Sequence, residues 1–164
     1  MTLLHSIRTI LMRDLRTLAK ELDAYGDEKL IWTLPSGLKN SGGTIALHLI
    51  GNTRHFIGTV LGGSDFQRNR EFEFSGQPVP LATLKQEIES AIADIDRTLQ
   101  QRADIALESI YPIEVGGHRL TVGLFLTHLA VHFGYHLGQL DYHRRIVTGN
   151  SAGLGAMAIS EIAQ

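Results

Sequence analysis

Four histidines in the C-terminal part of the chain recur at intervals that place them on one side of an α-helix. They are His128, His132, His136 and His143, and steps of four and seven residues return to the same helical face. Neutral imidazole is the commonest metal ligand in proteins, and two imidazoles one turn apart can bind one ion without bending the backbone. We therefore predict that His132 and His136 bind a divalent metal ion, together with a third histidine from another helix.

A second histidine pair, His48 and His55, lies in a segment whose apolar residues recur with helical spacing. His48 interrupts an apolar stripe, and Asn52 follows it one turn later on the same side. A histidine in such a stripe is more often a hydrogen-bonded core residue than a ligand. Each buried polar group left unpaired costs roughly 1–3 kcal/mol, so inward polar residues that cluster indicate a shared role. His48 is therefore the candidate for the third ligand.

The residues around these histidines exclude several classes of metalloprotein. Phe133 follows His132, so the glutamate of the H-E-x-x-H zinc proteases is missing. The inward glutamates and Glu-x-x-His pairs of di-iron bundles are also missing. The chain has no cysteine, which excludes a thiolate metal site, a disulfide framework and a cysteine nucleophile. Three histidines leave a coordination position open, and this is typical of catalytic rather than structural sites.

Four helices of bundle length are predicted to position these side chains. We expect them at residues 2–24, about 43–61, 80–102 and 121–148. Arg13, Asp14 and Glu21 are assigned to the solvated side of the first helix, and no inward carboxylate is expected in the third. The fourth helix is predicted to pack inward through five side chains: Leu124, Phe125, Leu129, Leu137 and Leu140. Arg144 and Arg145 fall in its last turns, where cations suit the helix dipole.

The remaining segments are predicted to be connections. Residues 62–77 form a linker long enough to run the length of a bundle, whereas adjacent antiparallel helices usually need 2–8 residues. A small hairpin is expected around Gly116 and Gly117, with His118 in its loop, and a short helix is expected at residues 155–162. Trp32 is expected to cover one end of the core. The fold prediction is an all-α four-helix bundle, formed by one domain at residues 1–164. The length of the linker permits its second and third helices to run parallel.

Composition narrows the functional class further. The net charge is −2 and there is no basic stripe, so no nucleic-acid partner is expected. No apolar run approaches the roughly 20 residues needed to cross a membrane. The first residues are interrupted by His5 and Arg8 and do not have the pattern of a signal peptide. We therefore expect a cytoplasmic protein with no membrane partner.

Two segments resemble motifs of the DinB/YfiT-like superfamily. The segment from His132 to Gln139, followed by Arg144 and Arg145, resembles the H-x-x-x-H-x-G-Q motif of its last helix, and residues 44–52 are similar to its second-helix motif. The resemblance implies a four-helix bundle in up-down-down-up order. It also implies a nickel or zinc site at His48, His132 and His136. By this correspondence His55, His128 and His143 are not ligands; His128 is expected near the site or in the core, and His143 in solvent.

The resemblance also suggests a reaction class. Members of the superfamily include enzymes that use low-molecular-weight thiols, such as S-transferases and an isomerase. The expected function is therefore metal-dependent activation of a small thiol or of water, with Asn52 and Tyr135 as candidates for orienting the substrate. The alternatives are a non-catalytic, stress-associated metal-binding bundle, and a bundle whose histidines are only core and surface residues. Small residues on the last helix, Gly134 and Gly138, suggest close packing in a homodimer.

Overall fold

The computed structural model describes residues 2–101 and 105–163, and it is all-helical over these ranges apart from turns and isolated bridges. The α-helices are α1 (Leu3–Asp23), α2 (Glu28–Trp32), α3 (Gly42–Thr53), α4 (Arg70–Glu73), α5 (Leu81–Gln101) and α6 (Val122–Thr148). A π-helix, Arg54–Leu61, continues directly from α3, and a 3₁₀ turn spans Ile159–Glu161. The four long predicted helices are thus confirmed, although Arg102, the predicted end of the third, lies outside the described residues.

The long helices pack into a ring around one apolar core. Helix α1 contacts α5 and α6, and the α3–π segment contacts the same two helices. The core is built largely from leucine and isoleucine side chains of these four segments. No helix in the described ranges is both long and apolar enough to cross a membrane.

Helix starts follow the polar residues that precede them. The hydroxyls of Thr2, Ser41 and Thr121 accept hydrogen bonds from the backbone N–H groups of the first turns of α1, α3 and α6. Each bond satisfies a donor that has no partner inside the helix. At the start of α3 the backbone packs so closely on Trp32 that a Cβ on Gly43 would clash with the indole ring. These caps set where the helices that carry the histidines begin.

The π-helix alters the face that the second long segment presents to the core. Its i→i+5 hydrogen bonds put an extra residue in each turn. Phe56 and Val60, which regular α-helical spacing from Leu49 and Asn52 would place inward, are only half-buried, whereas Ile57 and Leu61 are buried. Arg54, at the start of the π-helix, donates hydrogen bonds to Glu87 and Asp94 of α5. Asp94 is buried, so the prediction that the third long helix has no inward carboxylate is wrong.

Three further residues assigned to the solvated side of α1 are buried instead. Arg13, Asp14 and Glu21 are each at most 5% exposed. Helix α1 packs against both α5 and α6, which widens its buried face. The C-terminal segment also reaches α1, where Lys20 forms an ion pair with Glu161.

Arg144 is fully buried and is not a solvated cation at the end of α6. Its guanidinium donates to Glu21 of α1, to Asp141, and to the backbone carbonyls of Asn150 and Ala152. It therefore joins α1, α6 and the C-terminal segment. Leu124 was also misassigned, because it is 58% exposed while Phe125, Leu129, Leu137 and Leu140 are buried as predicted.

The connections differ in detail from the predicted ones. The linker after the π-helix contains α4, and the short helix expected at residues 155–162 is reduced to the 3₁₀ turn. The predicted hairpin is present as a tight turn in which Val115 and His118 exchange two backbone hydrogen bonds. Gly116 and Gly117 at its tip have φ angles of 59° and 79°, a conformation that glycine adopts without steric cost.

Candidate metal centre

Helices α3 and α6 bring three histidines together. Ring nitrogens of His48, His132 and His136 all lie within 4.8 Å of one another. The ring of His48 is 5.2 Å from that of His132 and 5.1 Å from that of His136, between centroids. His48 is buried, and the other two are partly exposed. The cluster therefore lies at the edge of the core, with one side towards solvent.

Glu73 of α4 fixes the orientation of the His48 ring. Its Oε2 lies 3.1 Å from His48 Nδ1, and the carboxylate also accepts two hydrogen bonds from Arg68, each 2.7 Å long. A guanidinium nitrogen of Arg68, which can only donate, also lies 3.3 Å from Nδ1, so it competes with Glu73 for this atom. The shorter contact is to the carboxylate, which can only accept, and it places the proton on Nδ1. The other ring nitrogen of His48, Nε2, then carries a lone pair.

Gln139 orients the His136 ring in the same way. Its Oε1 lies 2.7 Å from His136 Nδ1, three residues earlier on α6. An amide oxygen accepts, so His136 Nδ1 donates and its Nε2 also carries a lone pair. In metal sites the non-ligating histidine nitrogen commonly donates to a carboxylate or an amide oxygen in this manner.

The facing ring nitrogens of His48 and His132 lie close enough to share a cation. Their Nε2 atoms are 3.3 Å apart, and without an ion they form a hydrogen bond only if His132 carries its proton on Nε2. His48 already holds its proton on Nδ1. A divalent ion between such nitrogens would be shared by the lone pairs, each at about 2.0–2.1 Å for zinc. The donor set therefore fits a three-histidine metal site.

The electrostatics of the site favour the neutral imidazoles that a metal requires. Burial, together with the neighbouring His136 and His48 rings, lowers the pKa of His132 from 6.5 to about 4. Burial also lowers the pKa of His136, although the bond to Gln139 opposes the shift. Burial disfavours ionisation of Glu73, but the hydrogen bonds from Arg68 and His48 outweigh this and lower its pKa. An ionised Glu73 can only accept, so its contact with Nδ1 fixes the tautomer of His48.

The two residues predicted to orient substrate occupy different environments. Asn52 is 8% exposed and lies one turn after His48 on α3. Its Oδ1 is buried and has no hydrogen-bond partner among the residues that the structure describes. Tyr135 is 64% exposed, and its ring meets the His136 ring edge-on at 5.1 Å.

The remaining helical histidines lie outside the cluster. His128 is exposed and not in the core, but its ring stacks on Phe125 and lies 5.9 Å from the His132 ring, so it is near the site as predicted. His55 is half-buried against Phe56. The prediction that His143 is solvated is wrong, because it is 1% exposed, 2.7 Å from the Tyr25 hydroxyl through Nδ1, and donates from Nε2 to the Thr33 carbonyl at 2.8 Å. It holds α2 and α6 together.

Sequence reasoning missed Glu73 and Arg68. Both lie in the stretch predicted to be a linker, 25 and 20 residues after His48, and no helical spacing connects them to it. One local signal existed. Asn69 caps α4 by accepting from the Phe72 N–H, and such a cap marks a short ordered helix inside the connection.

The described ranges thus define an all-helical protein with a three-histidine cluster suited to a divalent metal. The chain belongs to the family described as Protein of unknown function (DUF1572), which matches residues 2–159. Searches of curated proteins and of solved structures gave no significant match.

Proposed function

We propose that the protein is a metal-dependent enzyme with one divalent ion, zinc or nickel, held by His48, His132 and His136. The observation that carries this proposal is the convergence of their ring nitrogens within 4.8 Å, with the Nδ1 atoms of His48 and His136 held by Glu73 and Gln139. Such an ion, when bound, is a Lewis acid that promotes loss of a proton from a thiol or from water. We assign the reaction to transfer onto a small thiol or to hydrolysis.

The chain's own residues would bind and orient the substrate. The buried Oδ1 of Asn52 lacks a donor, and an unpaired buried acceptor costs roughly 1–3 kcal/mol. A substrate N–H or O–H that reached it would satisfy this atom and align the substrate beside His48. Tyr135, at the outer edge of His136, is the second proposed contact. A substrate thiol would supply the nucleophile, as the chain contains no cysteine.

We further infer that the family falls within the DinB/YfiT-like superfamily, with an up-down-down-up four-helix bundle. Support comes from the H-x-x-x-H-x-G-Q motif of α6, whose two histidines join the cluster and whose glutamine bonds to one of them. The connection of residues 62–80 between the π-helix and α5 is consistent with parallel neighbours.

Metal analysis of protein purified without a histidine tag tests the site. We expect about one equivalent of transition metal per chain, and loss of most of it in His48→Ala, His132→Ala and His136→Ala. His128→Ala is the matched control, because this histidine lies on the same helix outside the cluster. Less than about 0.2 equivalents after reconstitution would contradict the site.

Turnover tests the enzymatic role separately. The metal-loaded protein is assayed for conjugation of small thiols to an electrophile and for hydrolysis of activated esters and amides. Activity should disappear in His132→Ala and fall in Asn52→Ala while Asn52→Ala keeps its metal. Stoichiometric metal without turnover across these substrates would favour the non-catalytic metal-binding alternative.

A further inference from the structure

Helix α6 has an outer face that is apolar and uncharged. Residues 122–140 contain no Asp, Glu, Lys or Arg. Five large hydrophobic side chains of α6 are each more than half exposed: Leu124, Val131, Tyr135, Tyr142 and Ile146. We call these five residues the α6 seam.

The spacing of the α6 seam makes it one continuous stripe. Its members are separated by seven, four, seven and four residues, and exposed His128 and Gly138 occupy the positions between them. Together these residues have the four-and-three spacing of a coiled-coil surface from Leu124 to Tyr142. The stripe lies opposite the buried side chains of α6, such as Phe133, Leu137 and Leu140. Gly138 lies within it, and a Cβ at that position would meet no other atom, so another backbone could approach closely there. A helix that is apolar on both sides is usually buried on both sides.

We propose that a second copy of this chain covers the α6 seam, with the two α6 helices antiparallel across a two-fold axis. A two-fold contact brings the same surface patch of each subunit together, so a charged patch would repel itself. The five side chains of the α6 seam carry no charge, and the adjacent Arg145 and Asp141 form an ion pair with each other. Lys39 lines a cavity with Tyr142 and Ile146 at one end of the seam. A membrane surface is a poorer fit, since helices that bind lipid carry Lys and Arg on their polar face.

The area and the symmetry of the α6 seam also suit a dimer. Its five side chains expose on the order of 600 Å², most of the roughly 800 Å² that each partner contributes to a stable interface. Tyr135 lies midway along the chain between Leu124 and Ile146. An axis at Tyr135 therefore sets Leu124 of one protomer against Ile146 of the partner, and antiparallel helix dipoles favour this orientation.

This interface would adjoin the histidine cluster. Tyr135 belongs to the α6 seam and also packs on the His136 ring. The partner would cover the side of the Tyr135 ring that faces away from His136. Substrate would then meet Tyr135 on its His136 side, where the proposed contact lies.

The mass of the full chain in solution tests the dimer. Light scattering and sedimentation velocity should give twice the protomer mass over roughly a hundredfold range of concentration. Val131→Glu should give monomers, raising the dissociation constant by about a hundredfold or more because a carboxylate would be buried without a partner. Ala93→Glu places the same charge on an exposed site of α5 and should remain dimeric. Circular dichroism and metal content show whether both variants are folded.

A charge exchange tests the orientation. Leu124→Glu alone should be monomeric, and adding Ile146→Lys should restore the dimer, because the two charges meet across an antiparallel contact. A wild-type monomer at every concentration, or a dimer that survives Val131→Glu, would overturn the proposal. Failure of the double variant to recover would overturn the antiparallel arrangement.

Discussion

At the scale of single residues, the ligands of the cluster are oriented by different contacts. Glu73 orients His48, and Gln139 orients His136. Within the described residues, the His132 ring has no carboxylate or amide partner. It is held between the other two rings, with its ring centroid 4.5 Å from that of His136.

We expect the metal-free protein to be less stable in acid because of His132. The pKa of this group is about 4 in the folded protein and 6.5 when unperturbed. Between these pH values the unfolded chain binds the proton and the folded chain does not, so the free energy of unfolding falls as pH decreases from about 6.5 towards 4. Urea unfolding of the metal-free protein at several pH values measures this change. The free energy of unfolding should depend less steeply on pH in His132→Ala than in the wild type. Parallel profiles for the two proteins would contradict this.

Replacing Glu73 should weaken metal binding without removing a ligand. Glu73→Gln keeps the size of the side chain but loses the charge that supports the Nδ1–H of His48, and loss of such a partner typically costs 10- to 100-fold in affinity. Competition against a chelator measures the affinity. Glu87→Gln removes another paired carboxylate, one bonded to Arg54, and should leave the affinity unchanged. Equal affinities for both variants would show that Glu73 does not support the site.

At the scale of the elements, the position of α4 against α3 depends on a residue without a side chain. A Cβ on Gly51 would collide with Oε1 of Glu73. Glu73 cannot move freely, because Arg68 and His48 both hold it. The absence of a side chain at Gly51 thus lets the carboxylate reach His48.

Gly51→Ala should therefore lower metal affinity although alanine favours helices. The displaced carboxylate would loosen its bond to His48, and crowding in a packed region commonly costs 1–3 kcal/mol. Gly134→Ala is the control, since a Cβ there meets no other atom and alanine should stabilise α6 by roughly 0.5–1 kcal/mol. Thermal unfolding and chelator competition measure both effects. A Gly51→Ala protein with wild-type affinity would contradict the argument.

Helical spacing predicted the four long helices and the histidine cluster, because both depend on a local period that the sequence displays. It could not predict the π-helix. The extra residue per turn places Ile57 and Leu61 in the core and leaves Phe56 and Val60 half-buried. It also missed Glu73, because a contact between residues 25 apart in an irregular stretch leaves no periodic signal. The burial of Arg13 and Glu21 depends on packing against α6 and on the C-terminal segment, which tertiary structure alone determines.

At the scale of the whole molecule, Arg144 joins parts of the chain that are distant in sequence. It is fully buried against Glu21, which is also fully buried, and it donates to two carbonyls beyond α6. Arg144→Met should lower the free energy of unfolding by about 3–5 kcal/mol, because Glu21 would be left as an uncompensated buried charge. Urea denaturation measures this change.

Two variants control for this prediction. Arg145→Met removes the neighbouring, more exposed arginine and should lower stability much less, because exposed ion pairs contribute little. Adding Glu21→Gln to Arg144→Met should recover part of the lost stability, since the unpaired charge is gone. An Arg144→Met protein as stable as Arg145→Met would show that the buried pair contributes little.

The bond between His48 and Glu73 has a consequence for the connection of residues 62–80. This stretch joins the two halves of the chain, and through Glu73 and Arg68 it contacts the ring that would hold the metal. Ligation at one nitrogen of His48 and order in the connection are thermodynamically linked, and such linkage is reciprocal. Any molecule that bound and ordered this connection would raise the affinity for the ion. Loss of the ion would in turn destabilise the ordered conformation of the connection.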